Sequence, residues 1–505
     1  MSRLAAMPQR VFVCCLAERE KMSAVAKKQY NMTEGPLLGK MLKYALPLMA
    51  TGLLQVLYNA SDMVVVGNFS PSGSIAMGAV GSCGPLINLL VNAFMGLSVG
   101  TGICVAQWIG AGKHKEVKDV VHTSLLGGLI CGIFVGIFGF LMCEPLLKLV
   151  LGTGEETART LAEAVPYMRA YFVGMPAMMV YNFLAAALRS SGDTKRPLIF
   201  LSISGLLNVG LNLIMVLVFG MGAIGVGIAT SAAQYASAAM ILIYMCRYDG
   251  LCKIDLRAVR MKKQDIVAVV RNGLPAGLQS VVFSVSNVLI QSTINSYGDA
   301  VIAGSAAAGN IEGFIYIAMN SLYQTAMTFA GQNVGAEKIE RVKRIAFISI
   351  VVVIITGVLL GLFCFIFSET LLSIYINEDD AAAQAQVMQA GITRMNLIST
   401  TYFLCGVMEV LSGLMRGMGK PIIPMVVSIL GSCVLRIIWI AVICNILFPG
   451  QIELLYLAYP VTWMVTDLAH MICCIKTYRL LIRQRESRNS LLREAERMKL
   501  SSTTT

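Results

Sequence analysis

Residues 107–113, Gln107-Trp108-Ile109-Gly110-Ala111-Gly112-Lys113, return 225 positions later as Gln332-Asn333-Val334-Gly335-Ala336-Glu337-Lys338. Four of the seven positions are identical, and both stretches close a long apolar run. Other pairs keep nearly the same spacing. Leu46-Pro47 and Asn59 match Leu274-Pro275 and Asn287 at 228, and Arg189, Gly192 and Pro197 match Arg416, Gly419 and Pro424 at 227. An offset that drifts by only three positions is not expected by accident, so the chain is read as two copies of one unit.

The composition says where those copies reside. Of 505 residues, 56% are hydrophobic and 13% charged, with a mean hydropathy of +0.72. Soluble globular proteins carry about 25% charged residues, so this chain cannot clothe a water-exposed surface, and it is far too apolar for disorder. Apolar runs of spanning length fall at about 44–66, 76–98, 120–142, 164–187, 197–218, 223–246, 272–297, 300–328, 345–367, 390–413, 422–447 and 454–480. The expected fold class is therefore an all-α integral membrane protein. Twelve transmembrane helices form two six-helix bundles, and an even number per copy relates the bundles by a pseudo-two-fold axis along the membrane normal.

Charge fixes the orientation. Thirty-five of the 40 lysines and arginines lie in the two tails or in the connections after even-numbered spans. Lys148, Arg159, Arg169, Arg394 and Arg436 are the exceptions. The opposite side carries the acids Glu144, Glu155, Glu156, Glu369, Glu378, Asp379 and Asp380. The basic side belongs in the cytoplasm, which places both termini there in a multi-pass protein of the cell membrane. The domain reading is a cytoplasmic tail at 1–43, a lobe at 44–246, a linker at 247–271, a second lobe at 272–480 and a basic tail at 481–505. Met32-Thr33-Glu34-Gly35-Pro36 offers an alternative start, and Val11 to Ala17 is too short to span, so residues 1–31 receive no function.

Several chemistries are absent. The fourteen cysteines form no C-x-x-C, and the three histidines form no H-E-x-x-H. Around Gly112-Lys113, Gln107 and His114 stand where a phosphate-binding loop needs Gly and Ser or Thr, which excludes ATP-driven export by this chain. Asp379-Asp380 lacks the third acid of a prenyl-diphosphate motif. The chain is expected not to be an enzyme, to need no cofactor and to bind no nucleic acid.

The informative residues are the acids inside spans, each costing at least about 2.5 kcal/mol at membrane depth: Asp62, Glu312, Glu409 and Asp467. Asn208 and Asn212, four apart on the fifth span, share one face, and Thr230 lies on the sixth. With Asp62 they make a hard-oxygen set suited to a small cation such as sodium, while the same carboxylate out of water can carry a proton instead. The competing reading is interhelical hydrogen bonding, worth about 0.6–2 kcal/mol. In the second copy the simplest account is a structural Glu409–Arg436 pair, with Glu312 as another partner for Arg436 or, like Glu409, as a substrate contact. Asp467 and His470 read as a structural i,i+3 pair. Met175, Met178 and Met179 cluster on the fourth span near Asn182, and substrate is expected against Met175, Met178 and Asn182.

Taken together, Tyr58-Asn59-Ala60-Ser61-Asp62, Gln107 to Gly112, Leu188-Arg189-Ser190-Ser191-Gly192-Asp193 and Met415-Arg416-Gly417-Met418-Gly419 resemble the multidrug and toxic compound extrusion (MATE) transporters, over nearly all of Met32 to Arg483. The resemblance implies export of lipophilic, often cationic compounds, driven by inward flow of sodium ions or protons. It also implies a cation site at Asp62, Asn208, Asn212 and Thr230. The NorM-like branch has a Glu on the seventh helix and an Asp on the tenth; Phe283 and Cys405 lie near those positions here, with Glu409 one turn from the second, which brings the chain closer to the DinF-like branch. The partners implied are a small-molecule substrate and the bilayer, around a monomer. Two rival readings are a lipid-linked oligosaccharide flippase, which needs a strongly basic central cavity, and a non-transporting membrane scaffold.

Overall fold

The computed structural model describes residues 31–70, 73–152, 154–247, 249–376 and 380–502. The apolar stretch Val11 to Ala17 and the acids Glu378 and Asp379 lie outside the described residues. The first lobe contains α1 (Leu37–Phe69), α2 (Gly73–Gly110), α3 (His114–Leu151), α4 (Glu155–Val173), α5 (Met175–Ser190), α6 (Lys195–Leu213) and α7 (Gly222–Arg247). The second contains α8 (Lys263–Asn295), α9 (Asp299–Gly335), α10 (Ile339–Ile366), the short α11 (Ser368–Leu372), α12 (Ala381–Ile398), α13 (Tyr402–Gly417), α14 (Ile422–Ser428), α15 (Leu435–Trp439) and α16 (Ile452–Ser502). Among the described residues eleven helices or helix runs are long and apolar enough to span a membrane, and the bent pair of α4 and α5 supplies a twelfth. Large apolar side chains such as Leu46, Phe134, Leu206 and Phe347 are exposed on their outer faces. Such a surface is stable only against lipid.

The fourth span differs from a single helix over 164–187. It begins nine residues earlier, at Glu155 rather than 164, and bends by 47° between Val173 and Met175. Pro176 lacks the N–H that a continuous helix would use, and its ring crowds the carbonyl four residues back. Gly174 fills the break because a Cβ there would overlap the Gln234 and Ser231 side chains of α7. The tenth span is interrupted in its own way, by a 3₁₀ turn at Ser399–Thr401. The Thr400 and Thr401 hydroxyls there donate back to the carbonyls of Asn396 and Leu397, at 2.6 and 2.8 Å.

The two lobes meet where the repeated heptapeptides sit. Gln107 Nε2 donates to the Gly417 carbonyl at 3.0 Å, and Gln332 Nε2 donates to the Ser190 carbonyl at 2.7 Å. These bonds are related by the sequence repeat, so the pseudo-two-fold axis passes between them. A Cβ on Gly110 would overlap the Gln332 carbonyl, and one on Gly335 the Gln107 carbonyl. Deeper in, Gly96 and Gly100 of α2 lie against Gly277 and Gly273 of α8 so closely that side chains would strike backbone, a small-x-x-x-small contact. All these contacts lie in the half of α2 that ends at the basic loops. At Gly78 and Gly84, in its other half, a Cβ would meet nothing within 4 Å. The lobes are closed at their basic end.

The start of α1 completes that closure. Leu37, Met41, Tyr44 and Leu48 pack into the second lobe's core. The Tyr44 hydroxyl donates to the Arg189 carbonyl at 2.9 Å and lies 3.2 Å from Thr328 Oγ1. A lobe boundary at residue 44 thus cuts a helix that serves both halves.

Candidate functional site

The first lobe gathers a buried ring of polar groups from three helices. Its register starts at Tyr58 of α1, whose ring lies where a Cβ on Gly205 of α6 would be and whose hydroxyl donates to the Ser202 carbonyl at 3.3 Å. One turn further along α1 comes Asp62, and one to two turns beyond Gly205 on α6 come Asn208 and Asn212. Asn212 Nδ2 donates to Asp62 Oδ1 at 2.5 Å and approaches Asn208 Oδ1 at 3.4 Å. Thr230 Oγ1, from α7, donates to Asp62 Oδ2 at 3.4 Å and accepts from Asn208 Nδ2 at 3.2 Å. All four expected residues come together. A π-helical turn, Ile214–Val218, follows Asn212 directly, a distortion that often accompanies functional sites.

The electrostatics of this ring are unusual. Asp62 is buried, and among the described residues no lysine, arginine or histidine pairs with it. Its donors are neutral. Asn212 Oδ1 is buried without a hydrogen-bond partner among the described residues, and native proteins rarely leave such an acceptor unmatched. One carboxylate with amide and hydroxyl oxygens is a weak, exchangeable cation set, and among the described residues no cluster of three or more His, Cys, Asp or Glu offers a tight metal site.

Next to the ring are the hydroxyls of Tyr167 and Tyr171, within electrostatic range of Asp62. Tyr171 Oη lies 4.0 Å from Met178 Sδ, Gln234 Nε2 lies 3.9 Å from the same sulfur, and Gln234 Oε1 is a second buried acceptor without a partner. Asn182 Nδ2 donates to the Met178 carbonyl at 2.8 Å. Met178 and Asn182 therefore share a face of α5 that looks toward α4 and α7. Met175 is placed differently: it is fully buried and packs on α3 beside Gly136.

The second lobe corrects the expected pairings. Arg394 of α12, not Arg436, takes Glu312 of α9 in a two-pronged ion pair, Nε to Oε1 at 3.0 Å and Nη2 to Oε2 at 2.8 Å. A sequence separation of 82 residues hid this pair. Arg436 instead donates to Thr462 Oγ1 at 3.0 Å and stacks 4.1 Å from the Tyr459 ring centroid. Its charge is spread over aromatic faces and a hydroxyl rather than met by an acid. Glu409 has no hydrogen bond or ion pair from the described residues. The Asp467–His470 pair also does not form. Both Asp467 oxygens are buried without partners, and His470 Nε2 faces Ser428 Oγ at 3.0 Å.

The MatE family profile matches residues 47–214 and, a second time, residues 275–442. The chain belongs to the MATE family. Its two matched segments are again 228 positions apart, the spacing between Leu46-Pro47 and Leu274-Pro275. This MATE chain is 28% identical over 394 residues to "Probable multidrug resistance protein YoeA" of Bacillus subtilis, covering 76% of this chain and 82% of the relative. It is also 28% identical over 412 residues to "Probable multidrug resistance protein YpnP" of the same organism, covering 81% and 89%. Its fold superposes with a TM-score of 0.81 on an outward-facing multidrug resistance MATE family transporter of the MOP superfamily. That match is 19% identical and covers 90% of this chain and 98% of that one.

Sequence reasoning missed several groups of this MATE chain that matter to the site. Tyr171 and Gln234 carry no distinctive spacing, and only the bend at Gly174 brings α4 toward Met178 of α5. Gln107 and Gln332 stood in the repeated motif, which was legible, but their role as reciprocal interlobe donors needs three dimensions.

Proposed function

We propose that this MATE transporter is a cation-coupled antiporter that exports lipophilic, often cationic drugs or toxic compounds by alternating access between its lobes. The observation that carries the proposal is the ring around Asp62: a buried carboxylate held only by neutral groups from α1, α6 and α7, beside an unmatched Asn212 oxygen. A sodium ion or a proton arriving from the acidic side neutralises Asp62 and competes for the hydrogen bonds from Asn212 and Thr230. The three helices that Asp62 ties together then relax, and the preference between outward-facing and inward-facing states changes. By linkage, substrate and cation must favour opposite states.

Substrate in this reading lies against the Met178 and Asn182 face, with Met175 supporting that face from behind. A cationic substrate also meets Glu409, which makes no ion pair with the described residues and has Arg416 within electrostatic range, whereas Glu312 is spent on Arg394. The protein works as a monomer in the cell membrane with its basic face and both termini in the cytoplasm, needs no cofactor beyond the coupling ion and falls nearer the DinF-like branch. The flippase alternative wants free positive charge in the cleft. Arg394 is paired, Arg436 is stacked, and Arg169 lies 3.5 Å from Glu144, so no observation favours it.

The test is efflux of a fluorescent lipophilic cation from proteoliposomes, with sodium and proton gradients imposed separately, for the wild type and Asp62→Asn. Efflux driven by one gradient and lost in the variant supports the proposal and names the ion. Efflux indifferent to both gradients refutes it.

A further inference from the structure

At the basic end, where the lobes close, a polar cavity of about 600 Å³ opens between three parts of the chain. One wall is the segment Thr33 to Gly35 that leads into α1, the second is the α9–α10 turn with the first turns of α10, and the third is the extension of α16 around Arg485. The acids around it are all taken. Glu34 pairs with Lys338 at 3.3 Å, Glu340 with Arg485 at 3.7 Å, and Glu337 with Arg488. Two guanidiniums remain. Arg341 donates Nη2 to the Gly35 carbonyl at 2.6 Å, but its Nε is buried without a partner. Arg344 makes no hydrogen bond or ion pair with the described residues.

The surroundings indicate what those charges meet. One turn along α10 from Arg344, on the same face, Phe347 is 70% exposed, and Leu38, Leu42 and Leu46 are exposed along the start of α1. Apolar side chains this exposed belong in lipid, so the cavity straddles the boundary between bilayer and water. A basic pocket between helices at this depth, on the face that the charge asymmetry places against an anionic leaflet, matches a phosphate carried on a membrane lipid. A planar guanidinium suits the paired oxygens of a phosphodiester.

We propose that this cavity binds the headgroup of an anionic phospholipid, with Arg341 and Arg344 holding the phosphate. Thr33 to Gly35 lead into the start of α1, which packs in the second lobe's core, and Arg341 and Arg344 belong to that lobe's α10. A bound headgroup therefore ties the entry of α1 to α10 and the α16 extension.

The full-length protein in mixed micelles is titrated with phosphatidylglycerol or phosphatidylcholine of the same acyl chains. The readouts are bound lipid by native mass spectrometry and the unfolding midpoint. Two surplus guanidiniums correspond to a preference of about thirtyfold for the anionic lipid. Arg344→Gln, which breaks no native contact, should cut that preference about fivefold, and Arg341→Gln/Arg344→Gln should bring it near parity. Arg257→Gln, an exposed change in the interlobe linker, should leave it intact. Equal lipid preference in wild type and Arg344→Gln, with both folded in phosphatidylcholine, overturns the proposal. Inorganic phosphate or glycerol 3-phosphate raising the midpoint as much as the lipid, without acyl chains, overturns the lipid assignment in favour of a soluble phosphate compound.

Discussion

The acids within the spans of the two lobes are treated in opposite ways. Asp62 in the first lobe is held by amides and a hydroxyl, none of which can neutralise it. Glu312 in the second lobe is locked to Arg394 through two parallel hydrogen bonds. A carboxylate without a counter-charge is poised to take one from solution, while a carboxylate that already owns one is a strut. In the proposed function, one duplicated architecture is turned toward ion handling on one side and rigidity on the other. Glu409 and Arg436 show that the second lobe has not simply paired everything, since neither is joined to an opposite charge.

This contrast can be broken by exchanging the lobes' responses to charge removal. The largest effect is expected at Asp62. Asp62→Asn keeps the shape of the ring and the bond from Asn212, with the Thr230 hydroxyl turning from donor to acceptor, and it removes a buried charge, so the protein should unfold at or above the wild-type midpoint while gradient-driven efflux falls by a factor of 100 or more, about 2.7 kcal/mol of lost coupling. A folded variant that transports normally would remove Asp62 from the mechanism. In the second lobe, Glu312→Gln strands the Arg394 guanidinium and should cost about 3–5 kcal/mol of stability, read as a lowered unfolding midpoint. Glu312→Leu/Arg394→Met, which removes both charges, should recover most of that loss. A destabilised Asp62→Asn beside an unperturbed Glu312→Gln would invert the assignment of roles.

A smaller effect tests whether closure at the basic end belongs to the transport cycle. Gly277→Val drives a branched side chain into the Ala93 carbonyl, and overpacking of this kind costs about 1–3 kcal/mol. It falls only on the state in which α2 and α8 touch. The variant should therefore shift toward the state open at the basic end and export about tenfold more slowly. Thiol labelling of a protein whose sole cysteine is Cys104, buried beside Asn272 at this contact, should rise in step. Unchanged labelling would mean that the lobes do not separate there.

Much of this was legible in the chain itself. Span number, duplication and charge sidedness follow from composition and periodicity, which act over tens of residues and survive local error. The Asp62 ring was also within reach, because Asn208 and Asn212 are one helical turn apart and an acid in a span must find polar company. What escaped depended on contacts between distant segments. The Glu312–Arg394 pair joins α9 to α12, and nothing in the spacing of the spans 300–328 and 390–413 brings together two residues 82 apart. The break at Gly174 was signalled by Pro176, but an apolar count over 164–187 is blind to a missing N–H.

The smallest expected effect compares the repeats at one backbone position. Gly112 closes the first heptapeptide with φ of +67°, and its counterpart Glu337 adopts +59°, the left-handed region that costs an ordinary residue about 1–2 kcal/mol. The second copy tolerates a side chain there, and Glu337 uses it to hold Arg488 of the α16 extension. That pair is half exposed and contributes about 0–1 kcal/mol. Gly112→Ala gains no partner and introduces the strain that glycine avoids, so it should lower stability by about 1 kcal/mol. Glu337→Gly relieves the strain but loses the pair and gives the unfolded chain more freedom, so these terms nearly cancel and its midpoint should stay within about 0.5 kcal/mol of wild type. If Glu337→Gly costs several times more than Gly112→Ala, the α16 latch contributes more to this closed state than an exposed ion pair allows, and the fixed point of the basic end lies in the second copy rather than being shared between the two.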